Sequence, residues 1–355
     1  MIKVIHAISD TNIGGAGVLL LNCLKNFNRE KFEVKVILPA GSLLKPRIEA
    51  EGYEIIEIDG CADKSLDMKA IRKYHSIFRA EKPDIVHAHA AFSARIAALT
   101  AGVKTRIYTR HSTFAPAKGL TVFPGKQLCG FTNNTLSTRI IAASDSTREN
   151  LTDTGANPNK ITIIINGSQP LREVSEEEIA GIKTKLGISP SDFVCGMSAR
   201  LEAVKGHKYF IEAAKIIVGE YPDTKFLIIG SGSEEAALRE QVASLQLENS
   251  VIFAGFVTDV ALYIAAMDVI VNCSYGTESS CLALSEAMSL AKPAVASDFG
   301  GNTHMVLDGV NGIITKQKDS QQLADALLRL IRDRNLKEQM GAAALSRYKN
   351  EFTGA

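Results

Sequence analysis

The chain has 355 residues, 46% of them hydrophobic, enough for two domains with separate cores. Forty Lys and Arg against thirty-nine Asp and Glu leave a formal charge of +1, which excludes whole-chain electrostatic attraction to nucleic acid or membrane. Six scattered cysteines form no Cys-x-x-Cys pair, the first residues are too interrupted for a signal peptide, and no stretch is apolar enough to span a bilayer; the expectation is a soluble cytoplasmic protein without a zinc site or disulfide framework.

Strand-like apolar runs alternate with amphipathic helical runs from end to end, the pattern of parallel sheets wrapped by helices. In the first half, strands are predicted at 3–9, 33–39, 54–59, 84–89, 105–109, 139–143 and 161–165, and helices at 16–27, 44–51, 67–81, 91–101 and 146–153. Residues 112–137, rich in Gly, Pro, Thr and Asn, read as a long irregular segment of the functional or mobile kind. The pattern breaks at Asn166-Gly167-Ser168-Gln169-Pro170, and with the acidic segment 173–178 this marks a linker between domains 1–168 and 169–355. A second series follows, with strands at 194–198, 225–229, 250–254, 269–273, 293–297 and 312–315. Its helices are predicted at 207–220, 234–245 and 260–267, after residue 280, and at 302–307, 320–332 and 336–352. Two Rossmann-like, doubly wound α/β domains are expected to face a cleft at the carboxyl ends of their strands, where open α/β sheets bind ligands.

The stretch Tyr275-Gly276-Thr277-Glu278-Ser279-Ser280-Cys281-Leu282, running on to Glu286, leads from the apolar strand at 269–273 into a helix. Ser279 and Ser280 are expected as helix caps, and the helix start offers backbone N–H groups and a positive dipole end to a diphosphate. If the helical rise held throughout, Glu278 and Glu286 would lie roughly 12 Å apart, a span that a nucleotide diphosphate sugar bridges. The plain alternative is a strand-to-helix turn with two incidental glutamates. Arg200 and Lys205 follow the strand at 194–198 and suit phosphate oxygens as a planar fork and a point charge, or else are ordinary loop cations. Gly14-Gly15-Ala16-Gly17 lacks the Gly-x-Gly-x-x-Gly spacing of a dinucleotide site, yet adjacent glycines let a backbone approach a phosphate or sugar. Gly230-Ser231-Gly232-Ser233 reads as a flexible turn feeding a helix capped by Ser233, and Gly300-Gly301 as another flexible turn. His87 reads as a core-edge residue, while His89 and His111 fall at strand ends as candidates for proton traffic, His111 foremost. The histidines come from different strands without ligand spacing, so no metal site is expected.

Together these stretches resemble the retaining glycosyltransferases of the GT-B fold, in the family called glycosyltransferase family four (group 1). Gly14-Gly15-Ala16, Arg200 with Lys205, and Glu278, seven residues and Glu286 carry the resemblance, with Ser297-Asp298-Phe299-Gly300-Gly301 and Asp308-Gly309-Val310-Asn311-Gly312. It implies that the second domain holds a nucleotide diphosphate sugar and the first binds a glycan or lipid-linked acceptor. Glu286 would bind the ribose. Arg200, Lys205, Gly15 and the backbone at Cys281 and Leu282 would hold the diphosphate, with Gly14 beside them. Glu278 would contact the sugar, the base would stack by Phe256, and His111 would lie near sugar and acceptor. A hexosyl transfer with retention and without metal or other cofactor is the implied reaction. The chain departs from the family at Gly17, where Glu is common, and at Thr303-His304, where Pro-Glu is common. It also stops soon after Phe352, so the last crossover helix of relatives is expected short or trimmed.

Two rivals stay open: a nucleotide-sugar epimerase of the same architecture, and a non-catalytic sugar-nucleotide-binding subunit. Lys104, Arg106, Arg110, Lys118 and Lys126 flank the irregular segment and would meet anionic lipid head groups in a peripheral membrane contact, or are scattered surface cations.

Overall fold

The computed structural model describes residues 1–11, 14–59, 66–111, 113 and 116–353. They form two compact units, Met1–Asn166 and Gly167–Thr353. Unit 1 runs β1 (Ile2–Ile8), α1 (Gly15–Lys25), β2 (Phe32–Pro39), α2 (Lys45–Ala50), β3 (Glu54–Ile58), α3 (Met68–Glu81), β4 (Ile85–His89), α4 (Phe92–Thr100), β5 (Thr105–Arg110), α5 (Gly125–Leu136), β6 (Arg139–Ala142), α6 (Asp145–Asp153) and β7 (Ile161–Ile163). Its seven parallel strands take the order β3-β2-β1-β4-β5-β6-β7. Unit 2 begins with α7 (Glu176–Lys185), β8 (Phe193–Ser198), α8 (His207–Val218), β9 (Thr224–Ile229), α9 (Glu235–Ser244), β10 (Val251–Gly255) and α10 (Val260–Ala265). It continues with β11 (Val269–Asn272), α11 (Leu282–Ser289), β12 (Ala294–Ser297), α12 (Asn302–Met305), β13 (Gly312–Thr315), α13 (Ser320–Arg332) and α14 (Arg334–Arg347). Six parallel strands take the order β10-β9-β8-β11-β12-β13.

Both units are Rossmann-like and doubly wound. Their strands are continuous apolar runs because helices cover both faces: all of β11 and β12 is buried. In unit 2, Phe210 of α8 meets Phe226 of β9 edge to face at 5.4 Å between centroids, both fully buried. In unit 1, Tyr74 and Phe78 of α3 fill the same place with one turn between them. The strand order reverses between β1 and β4 in unit 1 and between β8 and β11 in unit 2. The crevice outside the strand ends at such a reversal is where this architecture binds ligands.

Several local expectations change. The segment 112–137 is not irregular throughout: a 3-10 turn at Lys118–Leu120 and helix α5 occupy much of it. Helix α5 escapes a sequence reading because its first turn has no acid and its buried side is Gly130, Asn133 and Leu136. The acidic stretch at 173–178 is no linker; Ser175 and Glu178 form a capping box that starts α7. Their Ser-x-x-Glu spacing was the available signal. The helix at 336–352 ends as α14, followed by a π turn at Tyr348–Phe352. That turn receives the chain as it enters unit 2: Ser168 N donates to Phe352 O, and Tyr348 Oη donates to Ser168 O. No helix among the described residues is long and apolar enough to cross a membrane.

Candidate active site

The reversal point of unit 2 joins a carboxylate and an ammonium in a polar nest. Glu278, beyond the end of β11, is only 8% exposed. Its Oε2 accepts from Lys205 Nζ at 3.0 Å, Ser274 Oγ at 3.1 Å and Asn272 Nδ2 at 3.2 Å. Its Oε1 accepts from none of the described residues, which leaves that oxygen open to a hydroxyl. Lys205 stands in a 3-10 turn after β8 and also donates to Thr277 O at 3.1 Å. Burying this ion pair is tolerable because hydrogen bonds satisfy the anchored oxygen; removing one partner leaves the other charge buried and unpaired. Beneath it, Ser297 Oγ donates to Ser274 O at 2.5 Å and Asn302 Nδ2 donates to Ser297 Oγ at 3.0 Å. Asn272, Ser274 and Asn302 carry no signature in sequence, and Ser297 enters only as the first residue of the Ser297–Gly301 motif; their positions at the ends of adjacent strands point to them. His207, at the start of α8, is buried with neither ring nitrogen hydrogen-bonded among the described residues, and burial first and the Lys205 charge second lower its pKa to about 4.

Glycines set the loops around the nest. A Cβ on Gly300 would strike Glu278 O, and one on Gly301 would strike Ser279 O. Gly300 is also left-handed, with φ +61°. This pair is therefore a close backbone contact under the Glu278 loop, not a flexible turn. Gly230 and Gly232 likewise lie against the Ala199 and Leu201 carbonyls and back the loop carrying Arg200. Ser233 does not cap α9, whose N-cap is Glu234 without a side-chain bond. The Asp308–Gly312 stretch is a closed turn: Asn311 Nδ2 donates to Met305 O at 3.0 Å, and Asp308 Oδ1 accepts from Ile314 N at 2.9 Å. At Thr303-His304 the chain is tied to α14, Arg347 Nη2 donating to His304 O at 3.0 Å.

The other donor-site candidates are arranged less tightly. Arg200 is mostly exposed and pairs with Glu202 at 2.7 Å, so it does not join the Lys205–Glu278 pair. Helix α11 begins at Leu282, with Cys281 as N-cap and no side-chain cap; neither Ser279 nor Ser280 takes that place. Its start is thus open to an anion. Since Glu278 precedes the helix, the helical-rise separation from Glu286 does not apply. Glu286 is half-buried, its carboxylate accepts no hydrogen bond from the described residues, and burial raises its carboxyl pKa to about 7. Burial, then the Glu278 charge, pushes the Cys281 thiol up to about 12 and keeps it a neutral neighbour. Phe256, after the left-handed Gly255, is 71% exposed.

In unit 1 the reversal point gathers imidazoles, including His6, which sequence reading missed. Parallel pairing sets His6 opposite His87 and Ile8 opposite His89, so residues remote in sequence become neighbours. His6 Nδ1 and His89 Nε2 are hydrogen-bonded at 2.9 Å, as are His89 Nδ1 and His111 Nε2; His87 Nε2 bonds Thr109 Oγ1 at 2.6 Å. His6 Nε2 is buried without a hydrogen-bond partner among the described residues. The two imidazole contacts share one direction of donation, either from His6 through His89 to His111 or the reverse. Burial lowers the pKa of His6 and His111 to about 4 and those of His87 and His89 well below the usual value. His6, His87 and His89 each bring a ring nitrogen within 4.8 Å of the others, a donor set for a zinc-class ion that strand pairing builds despite the absence of ligand spacing in sequence. Gly14 is the N-cap of α1 in extended backbone, its would-be Cβ 2.9 Å from Asp10 Oδ2; a Cβ on Gly15 would meet nothing. The fold does not require glycine at 15.

Two expectations follow. Gly301→Ala should destabilise unit 2 by about 1–3 kcal/mol through overpacking, read as a fall in denaturant midpoint with unit 1 unaffected. Imidazoles neutral in the fold but protonated on unfolding make stability fall as pH drops from about 6.5 towards 4, since the unfolded chain then binds more protons. Denaturation followed across that range should show the loss.

Comparison with known proteins matches this architecture. A family model described as glycosyl transferases group 1 matches residues 178–347, and one described as glycosyltransferase family 4 matches residues 13–169. The UDP-Gal:alpha-D-GlcNAc-diphosphoundecaprenol alpha-1,3-galactosyltransferase of Escherichia coli is 27% identical, over 94% of this chain and 89% of that protein. The alpha-monoglucosyldiacylglycerol synthase of Acholeplasma laidlawii is 28% identical, over 86% of this chain and 82% of that protein. The crystal structure of Anabaena Alr3699/HepE in complex with UDP shares the fold with a TM-score of 0.86 at 24% identity, covering 99% of this chain and 96% of that one. The two matches span nearly all of the sequence, one in each unit, and the chain belongs to the group 1, family 4 glycosyltransferases of GT-B fold.

Proposed function

We propose that this glycosyltransferase moves a hexose from a uridine diphosphate sugar to a glycan or lipid-linked acceptor, with retention at the anomeric carbon. The observation that carries the donor half is the Glu278 carboxylate, fixed through Oε2 and free at Oε1, beside Lys205 and the uncapped start of α11. Oε1 accepts a sugar hydroxyl. Lys205 Nζ and the backbone N–H groups at Cys281 and Leu282 take the diphosphate, with Arg200 swinging from Glu202 to join them. Glu286 accepts the ribose hydroxyls, the exposed Phe256 ring takes the base, and Gly15 is assigned to close backbone approach by a substrate group. Uridine is supported by the relative named for UDP-Gal and by the fold neighbour holding UDP. A lipid-linked acceptor, met at a membrane surface, is supported by the diphosphoundecaprenol and diacylglycerol in the relatives' names.

In the transfer, the bond from the anomeric carbon to the distal phosphate oxygen breaks and the acceptor oxygen bonds that carbon on the same face. The acceptor proton passes to the departing phosphate. Negative charge grows on that phosphate, where Lys205 and the α11 dipole already point positive charge and Arg200 adds its own once it leaves Glu202. These groups, rather than a metal ion, are the counter-charge in this reading. Neutral His111 lies near sugar and acceptor as an orienting group.

Calorimetry with UDP tests the ribose role. Because Glu286 must be ionised to accept two hydroxyls, UDP affinity should weaken as pH falls below about 7; Glu286→Gln should bind less tightly and lose that component. Lys205→Ala should slow transfer, and because it strands the Glu278 charge it should also lower stability by about 3–5 kcal/mol. His111→Ala should keep UDP binding and lose transfer. Incubation with UDP-glucose or UDP-galactose, alone and with acceptor, separates the reactions: sugar transfer with an α-anomeric product supports this reading, and an epimerised donor formed without acceptor contradicts it.

A further inference from the structure

Helix α5 is built the wrong way round for a helix in water. Its inner side places Asn133 against the buried Arg95, whose Nη2 donates to Asn133 Oδ1 at 2.9 Å and to Ser137 Oγ at 3.2 Å. Gly130 lies on the same side, so close to Gly155 that a Cβ would strike its carbonyl. The outer side shows Leu128, 67% exposed, and Phe131, 69% exposed, one turn apart. The turn entering the helix adds Phe123, 80% exposed, with Val122 and Leu120. That turn cannot stand away from the helix, because Lys126 N bonds Val122 O at 2.8 Å and a Cβ on Gly125 would strike Gly119 O. The apolar side chains therefore form one patch on unit 1, larger than scattered exposed residues make.

The charge around it has one sign. From residue 85 to residue 144 the chain contains seven Lys or Arg and no Asp or Glu, in a protein whose formal charge is only +1. Arg95 and Arg106 are spent inside unit 1, on Asn133 and on the Leu136, Val103 and Thr135 carbonyls. Lys118, exposed, and Lys126, half-buried, flank the apolar patch, and neither has a carboxylate partner among the described residues.

We propose that this patch, Leu120, Val122, Phe123, Leu128 and Phe131 with Lys118 and Lys126, docks the enzyme on an anionic bilayer surface. The inference deepens the proposed membrane-presented acceptor by naming the surface that meets the lipid. Helix α5 lies in the interface, its apolar side chains at the headgroup boundary and its lysines against lipid phosphates. A second copy of the chain fits less well, since a two-fold contact would bring the unpaired lysines of both copies together in an apolar seam.

Flotation with vesicles of phosphatidylcholine, with and without phosphatidylglycerol, tests the inference. Wild-type protein should float with the anionic vesicles, at least tenfold less with neutral ones, and less as salt rises. Phe123→Ser with Phe131→Ser should reduce flotation at least tenfold while leaving the melting temperature, UDP affinity and transfer to a soluble acceptor unchanged. Should that pair disturb folding, Phe123→Ser alone carries the test, its side chain being almost wholly in solvent. Wild-type protein that stays with the buffer, variants that float like wild type, or a concentration-dependent dimer abolished by the substitutions would each overturn it. Because UDP binding and soluble-acceptor transfer are read separately, loss of docking and failure of the transferase reading cannot be confused.

Discussion

A carboxylate with one oxygen tied down and the other left open is the constraint on which unit 2 depends. Glu278 is pinned through Oε2 by Lys205, Ser274 and Asn272, which come from the two strands at the sheet's reversal point and the loops beyond them. Neither charge could be buried there alone. The pairing therefore sets the Ala203–Lys205 turn, the Glu278 loop and the entry to α11 in one arrangement. It also keeps an ammonium and an uncapped helix start beside an oxygen that can accept from a sugar, as the proposed chemistry needs before the donor arrives.

Close backbone packing enforces that arrangement from below. Gly300 and Gly301 sit where any side chain would meet the Glu278 and Ser279 carbonyls, and Gly230 and Gly232 do the same for the Arg200 loop. Their contribution is positional: they let the loops after β12 and β9 press against the loops that carry charge. The Asn302–Ser297–Ser274 chain of hydrogen bonds adds direction to that contact. Glycines that look like flexible, ligand-facing turns in a sequence are here rigid supports, while Gly15, with nothing near it, has no such packing reason.

Where periodicity is strong the sequence is legible. Both parallel sheets follow from apolar runs spaced by helical patterns, and β13 and α13 have the expected ends. The long helix α5 was hidden because it inverts the usual pattern, with Asn and Gly inside and Leu and Phe outside. The start of α7 was hidden because its acids resemble a linker, although the capping box was written in Ser175 and Glu178. In the candidate site, Glu278 and Lys205 were found from charge and from position after strands. Arg200, found by the same reasoning, turned out to be engaged by Glu202. His6 was out of reach because its partner His89 lies 83 residues away, and only the pairing of β1 with β4 brings them together.

Unit 1 contributes a different kind of preorganisation: imidazoles kept neutral by burial and linked so that the proton position on one sets the next. That orients His111 without adding charge, whereas unit 2 concentrates charge. A crystal structure of the protein with UDP-glucose tests the central claim most directly. The account requires the diphosphate within hydrogen-bonding distance of Lys205 and the start of α11, with a glucose hydroxyl on Glu278 Oε1. A nucleotide sugar bound elsewhere, with the Lys205–Glu278 nest closed and untouched, would contradict it.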